Sequence, residues 1–596
     1  MASFHFCIIL FLCVARHQCN CEVIARTKYG KIMGLSETYV NSSTPFKVVK
    51  KFLGIPFAAP PTGKLRFRPP QTPSPWKPDI YNASQFKSPC LQLIESGTIL
   101  FYKNFWPKFN SKDYSEDCLY LNIYVPAENH TISVYRESSG FPVMLYIHGG
   151  GYEVGSPVAS PGDQLALRGV VVVTIQYRLN AFGFVTTGSS AAPGNYGMLD
   201  QVAALKWVHE NIAAFGGNPL KVTIFGESAG GSSVALHILS PLSRDYFHQA
   251  ISISGVDFSP FSYSTLTAAV NFTRQIAQTV NCTIEDNARL VDCLRSVDAR
   301  KIPVDGFNTW RPVIDRTFLM DSPRQLRKQG NFSKVPFMAG FTKNEGSYFV
   351  PNLKSKLHLS HFTNEIKRAL KFISNYNFDL PGTANSLIMA ALEFQYLPRP
   401  QSNHTPSLEQ NLYDIVTDYS FAAPTHAVLF RHTDKAQGFM YQFQYNSSSQ
   451  RRPMSHLSDI PYIFGLPFAN FIDKNSREAF NDQDRNISNT IITLFTNFAK
   501  YGHPTPSPVH GTVWKEFNSV SKKYLSIKTE LNMAAFFEPE RMAFWNEYYP
   551  KLLELIDKDF RVKEQENCSS SAPNVAISCL GILIIPTLIL VLFYNL

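Results

Sequence analysis

The stretch KVTIFGESAGG, residues 221–231, decides the fold of this chain. Its first half is apolar and β-branched over residues 222–225, which predicts a short buried strand. Residues 231–239 then favour a helix. Between them the chain must reverse sharply at Ser228, and the glycines two residues before and after it permit the strained dihedrals that this reversal needs. A strand, a tight Gly-x-Ser-x-Gly turn and a helix together predict a raised, reactive serine hydroxyl.

Other apolar, strand-like runs surround this unit, and helical patterns separate several of them. The clearest helical patterns cover residues 198–214 and 487–500, helical excursions are expected within 375–420, and a last long helix is predicted over 539–560. Buried strands that alternate with helices indicate the α/β class, with a large, mostly parallel sheet covered by helices on both faces. The predicted strands are residues 143–147, 170–175, 222–225, 251–254, 335–339 and 439–445.

The composition is that of a globular protein. Of 596 residues, 44% are hydrophobic and 17% are charged, so the chain can bury a large core. The formal charge of +10 comes from lysines and arginines that are interspersed with acids. Because no basic stripe forms, we expect no nucleic-acid binding. No convincing linker divides residues 22–560, which we interpret as one catalytic domain.

The first 21 residues resemble a signal peptide, with an apolar core over 7–15 followed by polar and small residues. No lysine or arginine precedes that core, and a short buried strand is the alternative. Export is also favoured by ten Asn-x-Ser/Thr sequons, which accept N-linked glycans in secreted proteins. The sequon asparagines are Asn41, Asn82, Asn129, Asn271, Asn281, Asn331, Asn403, Asn446, Asn486 and Asn567.

Four of the ten cysteines lie between the leader and the carboxyl-terminal tail. In the oxidising secretory pathway an even set of this kind predicts two disulfides. Three pairings satisfy the sequence, and we favour the local one, Cys90–Cys118 with Cys282–Cys293, because it closes two modest loops. The chain carries no Cys-x-x-Cys pair and no His-x-x-x-His helix that would indicate zinc, so we expect no metal and no cofactor.

The carboxyl terminus indicates membrane attachment. A polar stalk over residues 561–574 contains a cysteine and three serines in a row, and the largely apolar tail 575–596 follows it to the end of the chain. Small residues, a polar gap and a terminal apolar tail are typical of a glycosylphosphatidylinositol signal. About 20 apolar residues are also enough for a retained membrane helix, which is the alternative. A disulfide through Cys568 would join two subunits, so a homo-oligomer is a further possibility.

A serine hydroxyl is a poor nucleophile unless a base lies within hydrogen-bond reach and an acid orients that base. The attack also needs N–H donors for the oxyanion that forms on the carbonyl. The predicted strand at 143–147 runs directly into a His-Gly-Gly-Gly turn, and side-chain-free glycines let N–H groups point at a substrate oxygen. A phosphate-binding loop would need lysine after the last glycine, whereas Tyr152 follows here, so an oxyanion-binding turn is the better interpretation.

Five segments of the chain are highly specific in combination: FLGIPFAAPP at 52–61, SEDCLYLN at 115–122, HGGG at 148–151, GNYGMLDQ at 194–201 and the serine turn. Together they resemble the type-B carboxylesterase and cholinesterase family of α/β-hydrolases. The resemblance covers nearly all of residues 22–560. It implies an α/β-hydrolase fold, ester hydrolysis, and two structural ion pairs, Arg66 with Glu116 and Arg178 with Asp200.

The resemblance also implies a catalytic triad of Ser228, Glu345 and His456. Glu345 lies in an Asn-Glu-Gly-Ser motif that matches the acid motif of the family. Eight histidines follow Glu345, and the residues alone do not choose among them; His456 precedes LSDIPYIFG, which resembles the histidine loop. The family usually has glycine and an acid pair after that histidine, and Leu457 and Ser458 depart from this pattern.

In the implied mechanism, His456 removes the proton of Ser228 as the oxygen attacks an ester carbonyl, and Glu345 fixes the imidazole tautomer. The alcohol leaves, and water then cleaves the acyl-enzyme. Glu227, beside the nucleophile, either tunes the field of the site or only forms part of the turn. The oxyanion is held by the N–H groups of Gly150, Gly151 and Ala229.

Some features resemble cholinesterases. Tyr348 and Phe349 follow the acid motif where aromatic rings line a choline pocket, and such rings attract a quaternary ammonium. Trp106 lies inside the first predicted disulfide loop, as the choline-binding tryptophan of cholinesterases does, but its neighbours do not match that motif. For Trp106 we favour a half-buried packing role over a ligand role.

Other features favour a general carboxylesterase. No cysteine lies between Cys293 and Cys568, so the third disulfide of cholinesterases is absent from the sequence. Residues 306–310, in the acyl-pocket region, are less crowded with phenylalanine than an acetyl-selective pocket. We therefore predict a carboxylesterase, with cholinesterase activity as the alternative. A neuroligin-like adhesion protein is the second alternative, although such relatives have lost the nucleophile and this chain fills all three triad positions.

Overall fold

The computed structural model describes residues 21–39, 44–93, 114–127, 140–304, 310–350, 359–374, 382–397, 407–448, 454–469 and 480–556. Several predictions lie outside these ranges: the leader through residue 20, Trp106, the stalk, the apolar tail, and the sequons at Asn41, Asn129, Asn403 and Asn567. In the described ranges, no helix is both long and apolar enough to cross a membrane.

A sheet of 13 strands forms the centre of the protein. The strands are β1 Cys21–Thr27, β2 Gly30–Thr38, β3 Val48–Pro56, β4 Ile80–Asn82, β5 Tyr120–Ala127, β6 Phe141–Ile147, β7 Val171–Ile175, β8 Gly217–Glu227, β9 Gln249–Ile253, β10 Phe337–Thr342, β11 Gly438–Phe443, β12 Lys523–Ile527 and β13 Leu531–Ala535. Their spatial order is β1-β2-β3-β5-β7-β6-β8-β9-β10-β11-β12-β13, and β4 pairs with β2.

Parallel pairing holds the middle of the sheet together. From β7 through β6, β8, β9, β10 and β11 to β12, every neighbouring pair is parallel. These strands include all six that the sequence predicts, so the predicted fold class is confirmed. The outer strands pair antiparallel, except that β4 pairs parallel with β2. The sequence analysis did not predict them; β2, for example, is covered on one face only and alternates buried with partly exposed residues.

Helices connect the strands. They are α1 Asp163–Ala166, α2 Asn180–Phe184, α3 Tyr196–Asn211, α4 Ala229–Leu239, α5 Leu266–Thr279, α6 Asn287–Ser296, α7 Pro323–Gln329, α8 Gly346–Phe349, α9 Leu359–Ser374, α10 Gly382–Tyr396, α11 Leu408–Thr417, α12 Ala423–His432, α13 Ile460–Ile463, α14 Asp482–Tyr501 and α15 Pro539–Ala543. A π-helical turn, Asp418–Ala422, joins α11 to α12, and a second one, Phe544–Tyr548, follows α15.

The long predicted helices are present. Helix α14 begins five residues before the predicted start because Asn481 and Asp484 form a capping box. The last predicted helix is interrupted by the second π turn but continues to residue 556, the end of the described chain. Helices α10 and α11 are the excursions expected within 375–420.

The sheet separates two layers of buried side chains. Along β6, Val143, Leu145 and Ile147 pack into one cluster, whereas Met144 and Tyr146 pack into the other. Because successive side chains of a strand point to opposite faces, β6 is covered on both sides. This explains why the central strands are apolar throughout and why the sequence identified them.

Two disulfides form in the described structure, Cys90–Cys118 and Cys282–Cys293. They are the pairs of the local pairing that the sequence favoured. The first joins the segment before β5 to the chain just after β4, and the second joins α6 to the end of α5.

Both ion pairs implied by the family resemblance are also present. Arg66 meets Glu116 through two hydrogen bonds of 2.6 and 2.7 Å. Arg178 meets Asp200 through two of 2.7 Å, and the Arg178 backbone N–H donates to the same carboxylate. All four residues are buried or nearly so, so each bidentate pair satisfies charges that the core could not otherwise hold.

Candidate active site

Ser228 lies at the tip of the turn between β8 and α4. Its backbone dihedrals, φ 56° and ψ −123°, belong to a region that residues with side chains rarely adopt. The Ser228 N–H donates to the Ile253 carbonyl at 2.8 Å, which fixes the turn to β9. A Cβ at Gly230 would lie 2.1 Å from the Ile147 carbonyl oxygen, so only glycine fits there. The predicted strand, sharp turn and helix are confirmed.

Glu345 and His456 meet on the neighbouring part of the sheet. Glu345 follows the end of β10, and its Oε2 accepts a hydrogen bond from His456 Nδ1 at 2.5 Å. Its other oxygen, Oε1, accepts from Ser254 Oγ and from the Thr342 N–H, both at 2.6 Å. Together the three bonds hold the Glu345 carboxyl group in one orientation. With Nδ1 protonated, the neutral imidazole carries its lone pair on Nε2.

Glu227 faces the other side of the imidazole. His456 Nε2 lies 3.0 Å from Glu227 Oε1, although that oxygen accepts no hydrogen bond in the described structure. Among the described residues, no hydrogen bond joins Ser228 Oγ to His456. The structure therefore brings the three predicted triad residues and Glu227 to one place, with the imidazole Nε2 beside the Glu227 carboxyl.

Three buried carboxyl groups surround this single histidine. Glu227 and Asp459 are both about 1% exposed, and Glu345 is fully buried. Burial raises the pKa of Glu227 well above its ordinary value, and the charges of Asp459 and Glu345 raise it further. Burial, followed by the charge of Glu345, raises the pKa of Asp459 to about 7. The cluster thus disfavours negative charge on Glu227 and Asp459.

The glycine turn after β6 lies beside the serine turn because β6 and β8 are parallel neighbours. A Cβ on Gly149 would lie 3.0 Å from Ser228 Cβ, which shows how closely the two turns approach. Within the described residues, the N–H groups of Gly150, Gly151 and Ala229 make no hydrogen bond. Three unpaired donors next to a raised hydroxyl are the arrangement that a developing oxyanion needs.

Aromatic rings cover the histidine. The ring centres of Tyr348, Phe349 and Phe421 lie 5.7, 5.1 and 5.1 Å from that of His456. The sequence predicted a pocket role for the first two. It missed Phe421, which belongs to the first π turn and carries no motif; only the fold brings it to the site.

Comparison with known proteins agrees with this geometry. Residues 22–545 match the model of the carboxylesterase family. The chain belongs to the carboxylesterase family. Its relatives include carboxylesterase 1F of Mus musculus, 34% identical over 92% of this chain and 97% of the relative. Cholinesterase of Mus musculus is 33% identical over 94% and 93%. Neuroligin-2 of Mus musculus is 32% identical over 89% of this chain and 68% of the relative.

The histidine loop departs from the usual carboxylesterase pattern at Leu457, and this residue adopts a strained backbone conformation. Leu457 has φ 75°, a left-handed conformation that glycine adopts freely and leucine does not. Its side chain is 6% exposed and packs in the core. Ser458 holds the loop, because its Oγ accepts from the Ser455 N–H at 2.8 Å. The turn is therefore kept by burial and by this serine bond.

No role for Asp459 was predicted from the sequence, where it stood only within the motif LSDIPYIFG after His456. Its position three residues after His456 is the available signal, since one turn of chain returns it to the imidazole. Tyr441 donates a long hydrogen bond of 3.5 Å to its Oδ2. The effect of Asp459 on the pKa of Glu227 depends on the distance between the two loops that carry them, and the sequence does not give that distance.

Proposed function

We propose that this protein is a secreted or cell-surface serine hydrolase that cleaves carboxylic esters through Ser228, His456 and Glu345. The observation that carries the proposal is the 2.5 Å hydrogen bond between Glu345 and His456 beside a serine held at φ 56°. A buried carboxylate that orients an imidazole next to a raised hydroxyl is the arrangement that activates a serine.

In the proposed mechanism the ester carbonyl enters between Ser228 and the glycine turn. His456 Nε2 accepts the hydroxyl proton while Oγ forms a bond to the carbonyl carbon. Glu345 stabilises the imidazolium that results, and His456 then gives the proton to the departing alcohol. Water attacks the acyl-enzyme by the same proton transfers and releases a carboxylic acid.

The hydroxyl-to-imidazole hydrogen bond forms when the substrate binds, and Glu227 is the group that must give way. Catalytic hydrogen bonds are often long or misaligned before the substrate is bound. Burial raises the pKa of Glu227 well above its ordinary value, which favours the neutral form of its carboxyl. A neutral carboxyl forms no ion pair with the imidazole, so this shift favours the turn of Nε2 from Glu227 to Ser228.

We favour a general carboxylesterase over a cholinesterase. No cysteine that could form the third disulfide of cholinesterases lies between Cys293 and Cys568, and residues 306–310 carry few phenylalanines. The specific observation for cholinesterase activity is the aromatic cover of His456 by Tyr348, Phe349 and Phe421. Such rings would attract a choline headgroup. The similarity to neuroligin-2 makes adhesion without hydrolysis the other alternative.

Export is supported by the surface of the fold. All six sequon asparagines in the described ranges are exposed: Asn82, Asn271, Asn281, Asn331, Asn446 and Asn486. Two disulfides also suit an oxidising compartment. We propose that the mature protein is glycosylated and attached to the membrane through its carboxyl-terminal end. Removal of N-linked glycans should lower its mass by several glycan units, and an unchanged mass would contradict this.

The test of the proposed function is a panel of esters on the purified full chain. We expect hydrolysis of butyryl-naphthyl ester, and turnover lost by about 10³-fold or more in Ser228→Ala. The matched control is Ser507→Ala at an exposed position, which should leave the rate unchanged. A marked preference for choline esters would assign a cholinesterase. No hydrolysis of any ester, or equal rates in Ser228→Ala, would overturn the proposal.

A further inference from the structure

Phe258, four residues after Ser254, carries two arginines on its ring. The guanidinium carbon of Arg324 lies 4.6 Å from the centre of the Phe258 ring, and that of Arg431 lies 5.6 Å from it. Arg324 belongs to α7, Arg431 to α12, and Phe258 to the loop after β9. Three separate elements therefore bring two cations to one aromatic ring.

Neither arginine is directly paired within the described residues. No hydrogen bond or ion pair joins Arg324 or Arg431 to another described residue, and Arg324 Nε is buried without a partner. Burial lowers the pKa of Arg324 to about 10, so it remains protonated near pH 7; the charge of Arg431 lowers this pKa further, whereas Tyr263 and Asp257 oppose the shift. A buried N–H donor without an acceptor is destabilising, and more so when it is charged.

The buried acid of this cluster, Asp257, is already paired with Arg327. Asp257 receives two hydrogen bonds from Arg327, at 2.6 and 2.9 Å, and both side chains are fully buried. His432 lies beyond Arg327, and burial lowers its pKa to about 3, so it adds no charge near pH 7. Asp434 is within electrostatic reach of Arg431 but is exposed to solvent. Three guanidiniums thus share one buried carboxylate.

The cluster lies on the same loop as the candidate active site. Ser254, where the loop begins, donates to Glu345, and Phe261 further along contacts Phe421 with ring centres 5.4 Å apart. Phe421 in turn covers His456. Arg324 and Arg431 are each partly exposed to solvent, whereas the Nε atom of Arg324 is buried.

We propose that Arg324 and Arg431, with the ring of Phe258, form a binding site for a small organic carboxylate. Guanidinium groups bind carboxylates through paired N–H donors, and Arg324 Nε has no acceptor among the described residues. The apolar ring between the cations suits the hydrocarbon part of such an anion. The proposal rests on the proposed function in one respect: ester hydrolysis releases a carboxylate close to this loop.

Isothermal titration of the purified full chain with sodium butyrate, at constant ionic strength, tests the site. We expect millimolar binding that is weakened at least tenfold in Arg324→Met and in Arg431→Met. Arg300→Met removes the same charge at an exposed position and should bind as wild type does. Arg324→Lys keeps the charge without the fork and should bind with intermediate affinity, which guards against a misfolded methionine variant.

Three results would overturn the proposal: no binding to the wild-type chain, equal binding by wild type and the Arg324 variants, or chloride and phosphate binding as tightly as butyrate. The titration is repeated on Ser228→Ala, where we expect unchanged affinity. Because binding is measured without turnover, a failure of ester hydrolysis leaves this test intact, and a failure of binding leaves the proposed triad intact.

Kinetics then identify the source of the carboxylate. If the site takes the free acid product, butyrate inhibits hydrolysis of a neutral ester, and Arg324→Met relieves that inhibition. If it takes a carboxylate on the substrate, Arg324→Met lowers kcat/KM for monoethyl glutarate and leaves diethyl glutarate unchanged. Both outcomes support the site and differ only in the molecule that fills it.

Discussion

Two charge clusters lie beside the loop that follows β9. One contains an excess of acidic groups and the other an excess of basic groups. Around His456, three carboxyl groups share one imidazole. Around Asp257, three guanidiniums share one carboxylate. The first cluster relieves its excess by protonation, since burial raises the pKa of Glu227 and of Asp459. Arginine holds its proton near pH 7, so the second cluster must stack its cations on Phe258 or bind an anion.

The comparison separates two uses of buried charge. In the catalytic cluster only Glu345 accepts three hydrogen bonds, and it orients the base. The raised pKa values of Glu227 and Asp459 disfavour additional negative charge beside the imidazole. In the arginine cluster only Arg327 is fully paired. The unpaired cations are the groups available to a ligand.

The largest effect is expected from Glu345→Gln. A neutral amide cannot stabilise the imidazolium and favours the wrong tautomer, so kcat for ester hydrolysis should fall by roughly 10⁴-fold. Steady-state kinetics on the full chain measure this. Glu530→Gln, at an exposed position, should leave kcat unchanged. A loss below tenfold in Glu345→Gln would mean that another acid orients His456.

The next effect is on stability, from Arg327→Met. This change leaves Asp257 buried without its partner, which should lower the free energy of unfolding by about 3–5 kcal/mol. Urea denaturation followed by tryptophan fluorescence measures the loss. Lys328→Met, the exposed neighbour, should change stability by less than about 0.5 kcal/mol. Equal effects of the two changes would show that the buried pair contributes nothing specific.

Asp459→Asn should flatten the dependence of stability on pH. The folded pKa of Asp459 is about 7, above its unfolded value near 4, so the unfolded chain ionises first as pH rises. Its contribution therefore falls from pH 4 to pH 7, by up to roughly 1.4 kcal/mol per pH unit, and is constant above.

Unfolding free energies at pH 5, 6 and 7 compare the wild type with Asp459→Asn and with Asp245→Asn, an exposed control. We expect a smaller loss between pH 5 and pH 7 in Asp459→Asn alone. An identical slope in all three proteins would contradict the raised pKa of Asp459.

The smallest effect is expected from Arg431→Met. Its guanidinium has no hydrogen bond in the described structure, and its contact with Phe258 is worth only about 0.5–1 kcal/mol. The change should therefore alter the free energy of unfolding by no more than about 1 kcal/mol, measured as for Arg327. A loss as large as that of Arg327→Met would show that Arg431 is a structural partner and not a free cation.

The sequence identifies what local pattern controls. The central strands are apolar on both faces, and the turn at Ser228 is bounded by obligatory glycines, so both are visible without coordinates. The outer strands β1, β2 and β13 were not predicted from the sequence because they are covered on one face or partly exposed. The Glu345–His456 contact joins residues 111 positions apart, and the family motif identifies it where periodicity cannot.

Three features needed the fold. The 3.0 Å approach of Glu227 to His456 depends on how two loops meet. Phe421 reaches His456 from a π turn, and no residue pattern marks such a turn. The arginine cluster draws on α7, α12 and the loop after β9, and its charge excess exists only once these elements pack together.

The central claim, a serine activated by His456 and Glu345, is tested most directly by labelling the purified full chain with a fluorophosphonate probe. Mass spectrometry of its peptides then locates the adduct. We expect a single adduct on Ser228, which forms rapidly in the wild type and at least about 10³-fold more slowly in Glu345→Gln. An unlabelled Ser228, or equal labelling rates in the two proteins, would contradict it.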